Sequence, residues 1–514
     1  MIRVNHAPDG AFTSELYSVY AAGNRLSVYT ALFSDGNGNY IPIPDELFKI
    51  YDGLEHVNKT VRTYFASFET DAETELRIEY EQEIKTVRIK PESLNKSFEF
   101  RDNALYLKIC PGEYITLEIN GEVFSSLSIF CNRLYEEDSS YKNIIEFSPG
   151  LHTKENSSCI TENEHGIPII GHIPDNTHII IRSGAVVRAA IALSGAKNIK
   201  ISGNGVLSLI DRCHGADKNF EGEMWGGFRR NALPSIYIKS GCRAITIEGI
   251  TLNCEFRGIT IRNSSDIHIS DVKIFSSSVN ADGINMMNVK NVLIEKSFIK
   301  SSDDCIALFT SCDSIPTLAN SDYPSPESVS SNVEVRRCCL ASYARIFMIG
   351  GHSTGNTNPR DVVENVSVHD CEIIDTLNRN KKPYEQRMYW SGILRVLSQT
   401  EQIVRNVSFR DLNVNWTRYY AGKLIHVEVR TAKDASYSES VGYRIENISF
   451  ENIHCLHCPG NVMPSMFKAD FSENEKDREI NGITLKNITY NGHRIKNNEN
   501  DILVSGNVKH LVLD

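Results

Sequence analysis

The residues best suited to chemistry are three aspartates in one short stretch. Asp282 stands in an Asn-Ala-Asp-Gly motif, and Asp303 and Asp304 are adjacent. Crowded carboxylates raise one another's proton affinity, so one can stay protonated near neutral pH while another is ionised. Glycoside hydrolysis needs this division, because a carboxylic acid protonates the leaving oxygen and a carboxylate activates water. Each motif alone is weak, and the hypothesis depends on the fold bringing them together.

A repeated phrase predicts the elements that would position these aspartates. It consists of a polar residue followed by apolar-x-apolar, and it recurs at irregular intervals of about 20 to 45 residues, which is typical of a solenoid. A propeller is disfavoured because hairpin turns of the Asn-Gly type are missing. The repeats begin at Asn198, Ala244, Asp266, Asn291, Asn332, Asn365, Asn406 and Asn447.

A parallel β-helix accommodates this spacing, since loops of any length can separate the strands of a coil. Asp282 and Asp303 are 303 − 282 = 21 residues apart, about one coil, so Asp282 is expected above or below the Asp303-Asp304 pair. Coils stack about 4.8 Å apart, so the recurring asparagines should form a ladder in which each amide bonds its neighbour's backbone. We interpret that ladder as structural rather than catalytic.

The chain is predicted to be all-β with two domains. Residues 1–144 contain short alternating runs such as Glu75–Tyr80 and predict an antiparallel β-sandwich. This domain could bind carbohydrate or cover one end of the following domain, and we favour the cover. Residues 145–514 are predicted to form a right-handed parallel β-helix that carries the catalytic site.

Composition limits the partners. The formal net charge is −11, which argues against nucleic acid. No apolar run is long enough for a membrane span, and no signal peptide is visible. We therefore expect a cytoplasmic protein, or a secreted one if the leader is missing. The 13 cysteines are scattered, and Cys455 and Cys458 lack a second pair at zinc-finger spacing. No metal or other cofactor is expected.

The aspartate stretch resembles a known clan of enzymes. Asn-x-Asp-Gly, followed about twenty residues later by Asp-Asp-x-Ile inside β-helix repeats, is similar to polygalacturonases (glycoside hydrolase family 28) and to dextranases and isopullulanases (family 49). The likeness covers residues 145–460 and is closest in layout to family 49, which has an N-terminal β-sandwich. It implies an inverting hydrolase in which Asp303 is the general acid, with Asp282 and Asp304 holding and deprotonating the water.

The resemblance also suggests substrate-binding residues. A Gly-His-Gly motif would correspond to His352, and an Arg-Ile-Lys motif to Arg395. The lysine that pairs with a uronate carboxylate is absent, since Val396-Leu397 follows Arg395. This argues against galacturonan and leaves dextran- or pullulan-type α-glucan or a pectin-like substrate. Aromatic candidates for stacking on sugar rings lie in insertions; they are Trp225, Tyr389 and Trp390.

Two alternatives remain open. A polysaccharide lyase on the same fold would use the aspartates to bind Ca²⁺ and a basic residue to abstract a proton. No Lys or Arg stands inside the aspartate motifs, although Arg345 could approach from the neighbouring coil. In the hydrolase, Arg345 is a further candidate for binding substrate. A non-catalytic carbohydrate-binding fibre is the second alternative, but it would rarely need acidic residues at one-coil spacing.

Overall fold

The fold is described from a computed structural model of the 514-residue chain. The described residues are 1–32, 62–123, 125–138, 140–164, 166–209, 233–239, 241–254, 256–276, 281–310, 328–351, 360–376, 392–399, 401–416, 422–432, 440–458, 462–471 and 477–514. Within these ranges no helix has the length and apolarity needed to cross a membrane. The cysteines that fall in them are all free thiols.

The described chain divides into two compact units. The first comprises Met1–Tyr237, Ile245–Gly258 and Ser270–Ala281. The second comprises Ile238–Ala244, Ile259–Ile269 and Asp282–Asp514.

Two sheets open the first unit. Their strands are β1 (Ile2–Arg3), β2 (Tyr17–Ala21), β3 (Asn24–Leu26), β4 (Tyr29–Leu32), β5 (Arg62–Thr70), β6 (Thr74–Tyr80), β7 (Val87–Lys90), β8 (Phe98–Arg101), β9 (Ala104–Ile109), β10 (Tyr114–Ile119) and β11 (Leu127–Asn132), with a short 3₁₀ helix at Glu92–Leu94. One sheet has the order β1-β5-β11-β10-β7 with β4 beside β5, and the other has the order β3-β2-β6-β9-β8.

Alternating burial explains why these strands pack as a sandwich. Strand β6 alternates buried and more exposed residues along its length, as one-sided burial of a strand requires. A shared core takes Val19 and Ile78 from one sheet and Leu117 and Ile129 from the other. The β-sandwich predicted for the N-terminal region is therefore confirmed, but it is not wholly antiparallel, because β5 and β11 pair in parallel.

Strands that pair mainly in parallel follow from Asn143 onward. They are β12 (Asn143–Phe147), β13 (Gly150–His152), β14 (Thr161–Glu162), β15 (Pro168–Ile170), β16 (Thr177–Ile181), β17 (Ala185–Val187), β18 (Ala190–Leu193), β19 (Lys197–Gly203), β20 (Val206–Leu209), β21 (Ile236–Ile238), β22 (Arg243–Glu248), β23 (Thr251–Cys254), β24 (Ile259–Ser270) and β25 (Lys273–Ser276). Within the first unit, β13, β17, β20, β23 and β25 pair in succession, and the pairings are parallel.

The sandwich packs on these coils of the first unit through aromatic and buried polar contacts. Phe65 of β5 stacks on Phe275 of β25 with ring centroids 4.9 Å apart. The Lys273 ammonium lies 5.0 Å from the centre of the Tyr114 ring. Burial lowers the pKa of Lys273 to about 8. These contacts support the interpretation of the sandwich as a cover for the first coils.

The second unit also consists mainly of strands that pair in parallel. Its remaining strands are β26 (Ile284–Glu295), β27 (Phe298–Ser301), β28 (Ile306–Phe309), β29 (Val329–Arg336), β30 (Cys339–Ser342), β31 (Phe347–Gly350), β32 (Val362–Thr376), β33 (Leu394–Ser398), β34 (Ile403–Asn415), β35 (Ile425–Val429), β36 (Thr431–Ala432), β37 (Ser440–Val441), β38 (Arg444–Leu456), β39 (Ser465–Ala469), β40 (Glu479–Tyr490), β41 (His493–Arg494), β42 (Ile502–Gly506) and β43 (Val508–Leu513).

One face of this unit carries the candidate site, and we call it the site face. It consists of residues 284–287 of β26 followed by β28, β31, β33, β35, β39 and β42, all joined in parallel. Its interior column is apolar over five successive coils, with Ile284, Ile306, Phe347, Leu394 and Ile425 at most 1% exposed. Coils that repeat this pattern in register define a parallel β-helix, as the repeats predicted.

The asparagine ladder exists, but its bonding differs from the prediction. Asn332 donates its amide to the Asn291 side-chain oxygen at 3.1 Å, and the same link recurs from Asn365 to Asn332, from Asn406 to Asn365 and from Asn447 to Asn406. These five residues have φ between 55° and 57°. Asparagine tolerates this left-handed conformation better than other side chains, so it both turns the corner and links the coils. The amides therefore bond each other rather than the backbone.

Candidate active site

Three residues occupy the same position in successive coils. Asp282, Asp304 and Arg345 each stand two residues before a strand of the site face. Backbone hydrogen bonds fix this alignment: Gly283 N–H donates to the Asp304 carbonyl at 2.8 Å, and Cys305 N–H donates to the Arg345 carbonyl at 3.0 Å. We call this column of side chains the functional corner.

Gly283 is required by close packing. A Cβ at this position would lie 2.3 Å from the Ile299 side chain and 2.6 Å from the Cys305 carbonyl oxygen. Only a glycine lets the strand after Asp282 approach the next coil this closely. The Asp-Gly pair, common in turns, here serves the stacking of coils.

The three aspartates converge as the sequence spacing predicted. One carboxylate oxygen from each of Asp282, Asp303 and Asp304 lies within 4.8 Å of the others. Asp282 and Asp304 are buried, at 5% and 3% exposure. The Asp303 side chain keeps 18% of its surface exposed. Asp303 is therefore the most accessible of the three to a substrate.

Each buried carboxylate has its own side-chain donor. Asn285 donates to Asp282 Oδ2 at 2.5 Å. Arg345 donates through Nε to Asp304 Oδ1 at 2.5 Å and through Nη2 to Asp304 Oδ2 at 3.1 Å. The same Nη2 lies 3.5 Å from Asp303 Oδ1, at the outer limit of a hydrogen bond.

Asp303 is held through its backbone instead. The hydroxyls of Ser301 and Ser342, which face each other in adjacent coils, both donate to the Asp303 carbonyl at 2.6 Å. This arrangement fixes the main chain and leaves the carboxyl group in contact with solvent.

Burial and neighbouring charges shift the pKa values of the site residues in opposite directions. Burial and the neighbouring Asp303 carboxylate raise the pKa of Asp304 to about 6, although Arg345 and Arg395 act in the other direction. Despite its own burial, Arg345 has a raised pKa because Asp304 and Asp303 stabilise its charge. Asp304 is therefore ionised above about pH 6, where it pairs with the Arg345 guanidinium.

The trio is also the one group of three candidate metal ligands in the described ranges whose atoms lie close enough to share an ion. Carboxylate oxygens suit Ca²⁺ or Mg²⁺. Both oxygens of Asp304 already accept from Arg345, however, and the guanidinium charge opposes a second cation at that place. The residues present therefore fit a metal poorly.

Further charged residues line the later coils of the site face, and the sequence reasoning missed most of them. Arg395 and His426 are in register on adjacent strands and are completely buried. His426 Nε2 lies 3.1 Å from Glu428 Oε2. Burial lowers the pKa of Lys423 to about 7 and that of His426 to about 3. The alternation of apolar and polar residues in the strand Ile425–Val429 was a signal for His426 and Glu428, but not for Lys423.

The structure tests the placement of only some proposed substrate-binding residues. Arg345 lies against the aspartates, as expected for a residue from the neighbouring coil. Arg395 lies two coils beyond Asp304 and has no exposed surface, so a contact with sugar stays a prediction. The other candidates, His352, Trp225, Tyr389 and Trp390, lie outside the described residues.

A family match covers the segment that carries the aspartates. Residues 175–381 match the family model "Glycosyl hydrolases family 28", a span that contains all three aspartates and Arg345. The chain is a glycosidase with a parallel β-helix fold, and the resemblance stated from the sequence is confirmed.

Several solved structures are similar to this chain at low sequence identity. Dex49A from Penicillium minioluteum is 14% identical with a TM-score of 0.62, and the alignment covers 99% of this chain and 96% of that one. A family 28 exopolygalacturonase from Yersinia enterocolitica is 14% identical with a TM-score of 0.44, covering 98% and 95%. An exopolygalacturonase from Thermotoga maritima is 13% identical with a TM-score of 0.48, covering 72% and 83%. Among curated proteins, no sequence matches this chain.

Proposed function

We propose that this glycosidase hydrolyses a poly- or oligosaccharide by a single inverting displacement at Asp282, Asp303 and Asp304. The observation that carries the proposal is the convergence of three carboxylates, two buried and one accessible. Asp303 donates its proton to the departing glycosidic oxygen. Water attacks the anomeric carbon and gives a proton to Asp304, with Asp282 as the second ligand of that water. Exchange with solvent then restores both protonation states.

The close spacing supports a shared water. Hydrogen bonds between oxygens are about 2.5–3.0 Å long, so two carboxylate oxygens up to about 5 Å apart can bind one water together. The oxygens of the trio satisfy this limit at 4.8 Å. Inverting enzymes usually separate the carboxyl groups of the acid and the base by about 6.5–9.5 Å. The attacking water must therefore bind on the side of the Asp282 and Asp304 carboxyl groups that faces away from Asp303.

The surroundings of the trio favour a neutral sugar over a uronate. Leu397 stands where the resemblance would require a lysine, and it packs with Met287, Phe309 and Met348 in an apolar cluster. The nearest arginine, Arg345, is already paired with Asp304. A buried leucine at this position cannot pair with a uronate carboxylate as a lysine would.

The lyase alternative needs a base, and among the described residues the geometry places no basic group but Arg345 beside the trio. Arg345 is the basic residue that approaches, but its raised pKa keeps it protonated. An arginine in this state donates hydrogen bonds and does not abstract a proton. The hydrolase is therefore the better assignment.

A panel of α-glucan, galacturonan and galactan oligosaccharides tests the proposal. We expect new reducing ends from an α-glucan, without any product that absorbs in the near ultraviolet. Cleavage of galacturonan alone would contradict the neutral-sugar assignment. An unsaturated, ultraviolet-absorbing product would establish a lyase instead.

A further inference from the structure

We propose that Arg345 is the positioning residue that separates the roles of the two adjacent aspartates, by fixing Asp304 as the water-binding carboxylate and leaving Asp303 to carry the proton. This inference rests on the proposed function. It gives Arg345 a task within the enzyme itself, in place of the substrate contact that the sequence suggested.

The hydrogen bonds of Arg345 distinguish the two carboxyl groups. Both oxygens of Asp304 accept from the guanidinium, which is the two-pronged geometry that arginine forms with an ionised carboxylate. A proton on Asp304 would compete with one of these donors. Asp303 receives only the 3.5 Å contact, so protonating it disrupts much less.

The position of Arg345 explains how it can do this. It occupies the functional corner one coil beyond Asp304, so its backbone is fixed by the same series of backbone hydrogen bonds between coils that fixes the aspartates. Only 20% of its side chain is exposed. A guanidinium held this way is preorganised, and little conformational freedom is lost when it binds Asp304.

Other charged groups near Asp304 do not make this distinction. Asp282, Asp303 and Arg345 surround it directly, and Arg395 acts from two coils away. Burial raises the pKa of the Cys305 thiol to about 12, which leaves that group neutral. Arg345 is therefore the cation in direct contact that can hold Asp304 ionised.

The inference is tested on the carboxyl groups themselves, independently of turnover. In protein labelled with ¹³C at the aspartate carboxyls, NMR titrations of wild type, Arg345→Gln and Arg345→Lys are compared, with Asp304→Asn used for assignment. Loss of an opposite charge at this distance should raise the upper carboxyl pKa of the pair by about 1–3 units in Arg345→Gln. Arg345→Lys keeps the charge and should stay within about one unit of wild type.

Kinetics with the active oligosaccharide separate positioning from substrate binding. Arg345→Gln should lower kcat by about 100-fold with little change in KM, and Arg345→Lys should recover part of that loss. Arg405→Gln is the matched control, because Arg405 pairs with Glu364 away from the aspartates and should leave both titration and kinetics unchanged.

Two results would overturn the inference. One is an unaltered carboxyl titration in Arg345→Gln, and the other is a rise in KM at constant kcat, which would make Arg345 a substrate ligand. A wild-type protein that cleaves no glycan but shows the expected carboxyl shift would contradict the proposed function while retaining the charge assignment of Arg345.

Discussion

Two columns of side chains run along the same coils of the second unit. One column repeats the same residue in each coil, and the other changes from coil to coil. The asparagine ladder repeats one residue type at one φ value from Asn291 to Asn447. The functional corner changes at each step, with Asp282 in one coil, Asp304 in the next and Arg345 after that. Both columns are fixed by the same parallel register.

The difference teaches where function resides in this fold. A repeated asparagine forms the same hydrogen bond in every coil, so its contribution is cumulative stability. The functional corner brings aspartates and an arginine close together. Burying these charged groups costs free energy, and it has no structural advantage over a repeated polar residue. Repetition therefore indicates structure, and departure from it indicates chemistry.

The largest expected effect comes from the functional corner. Asp303→Asn keeps the shape of the side chain and removes its proton, so kcat should fall by about 10²–10⁴-fold while KM changes little. Initial-rate assays of reducing ends on the active oligosaccharide measure this. Asn406→Gly, from the ladder, is the matched control and should retain the activity of each folded molecule. A loss below tenfold for Asp303→Asn would remove it from the acid role.

The pH dependence of activity should reflect the ionisation of Asp304 in the functional corner. Asp304 must be ionised to accept the proton of the attacking water, and its pKa is raised to about 6. We expect kcat/KM to fall about tenfold for each pH unit below about 6, since a protonated Asp304 cannot act as the base. A rate that stays constant down to about pH 4 would show that Asp304 is not the base.

The ladder should show a smaller effect, and on stability alone. Asn406→Ala loses the amide links to Asn365 and Asn447 and places alanine at φ 55°. We expect a decrease of about 1–3 kcal/mol in the free energy of unfolding, measured by denaturant titration. Asn406→Gly should lose less, because glycine tolerates this conformation. Equal losses in both variants would show that the φ value contributes nothing.

The repeats in the sequence made the fold and the asparagine ladder predictable, but not which atoms of the ladder form hydrogen bonds. The recurring asparagines indicated stacked coils, and their intervals matched the register of the strands. The left-handed φ at each corner directs the amide to the next side chain, and the apolar-x-apolar pattern does not reveal that angle. The prediction of amide-to-backbone bonds was wrong for this reason.

The candidate site was predictable where no insertion interrupts a coil. Asp282 and Asp304 are 304 − 282 = 22 residues apart, so one coil could be counted from the sequence. Arg345 follows 41 residues after Asp304, since a longer segment separates their coils. Lys423 and His426 lie still further along, and without register the sequence could not assign them to the same face.

The stereochemistry of the first product tests the central claim, that water held by Asp282 and Asp304 attacks opposite the Asp303 proton. An NMR time course of wild-type enzyme on the active oligosaccharide would resolve the two anomers before they interconvert. The account predicts that the anomer opposite to the cleaved linkage appears first. Initial release of the same anomer, or a trapped glycosyl-aspartate, would make one of these residues a nucleophile and contradict the single displacement.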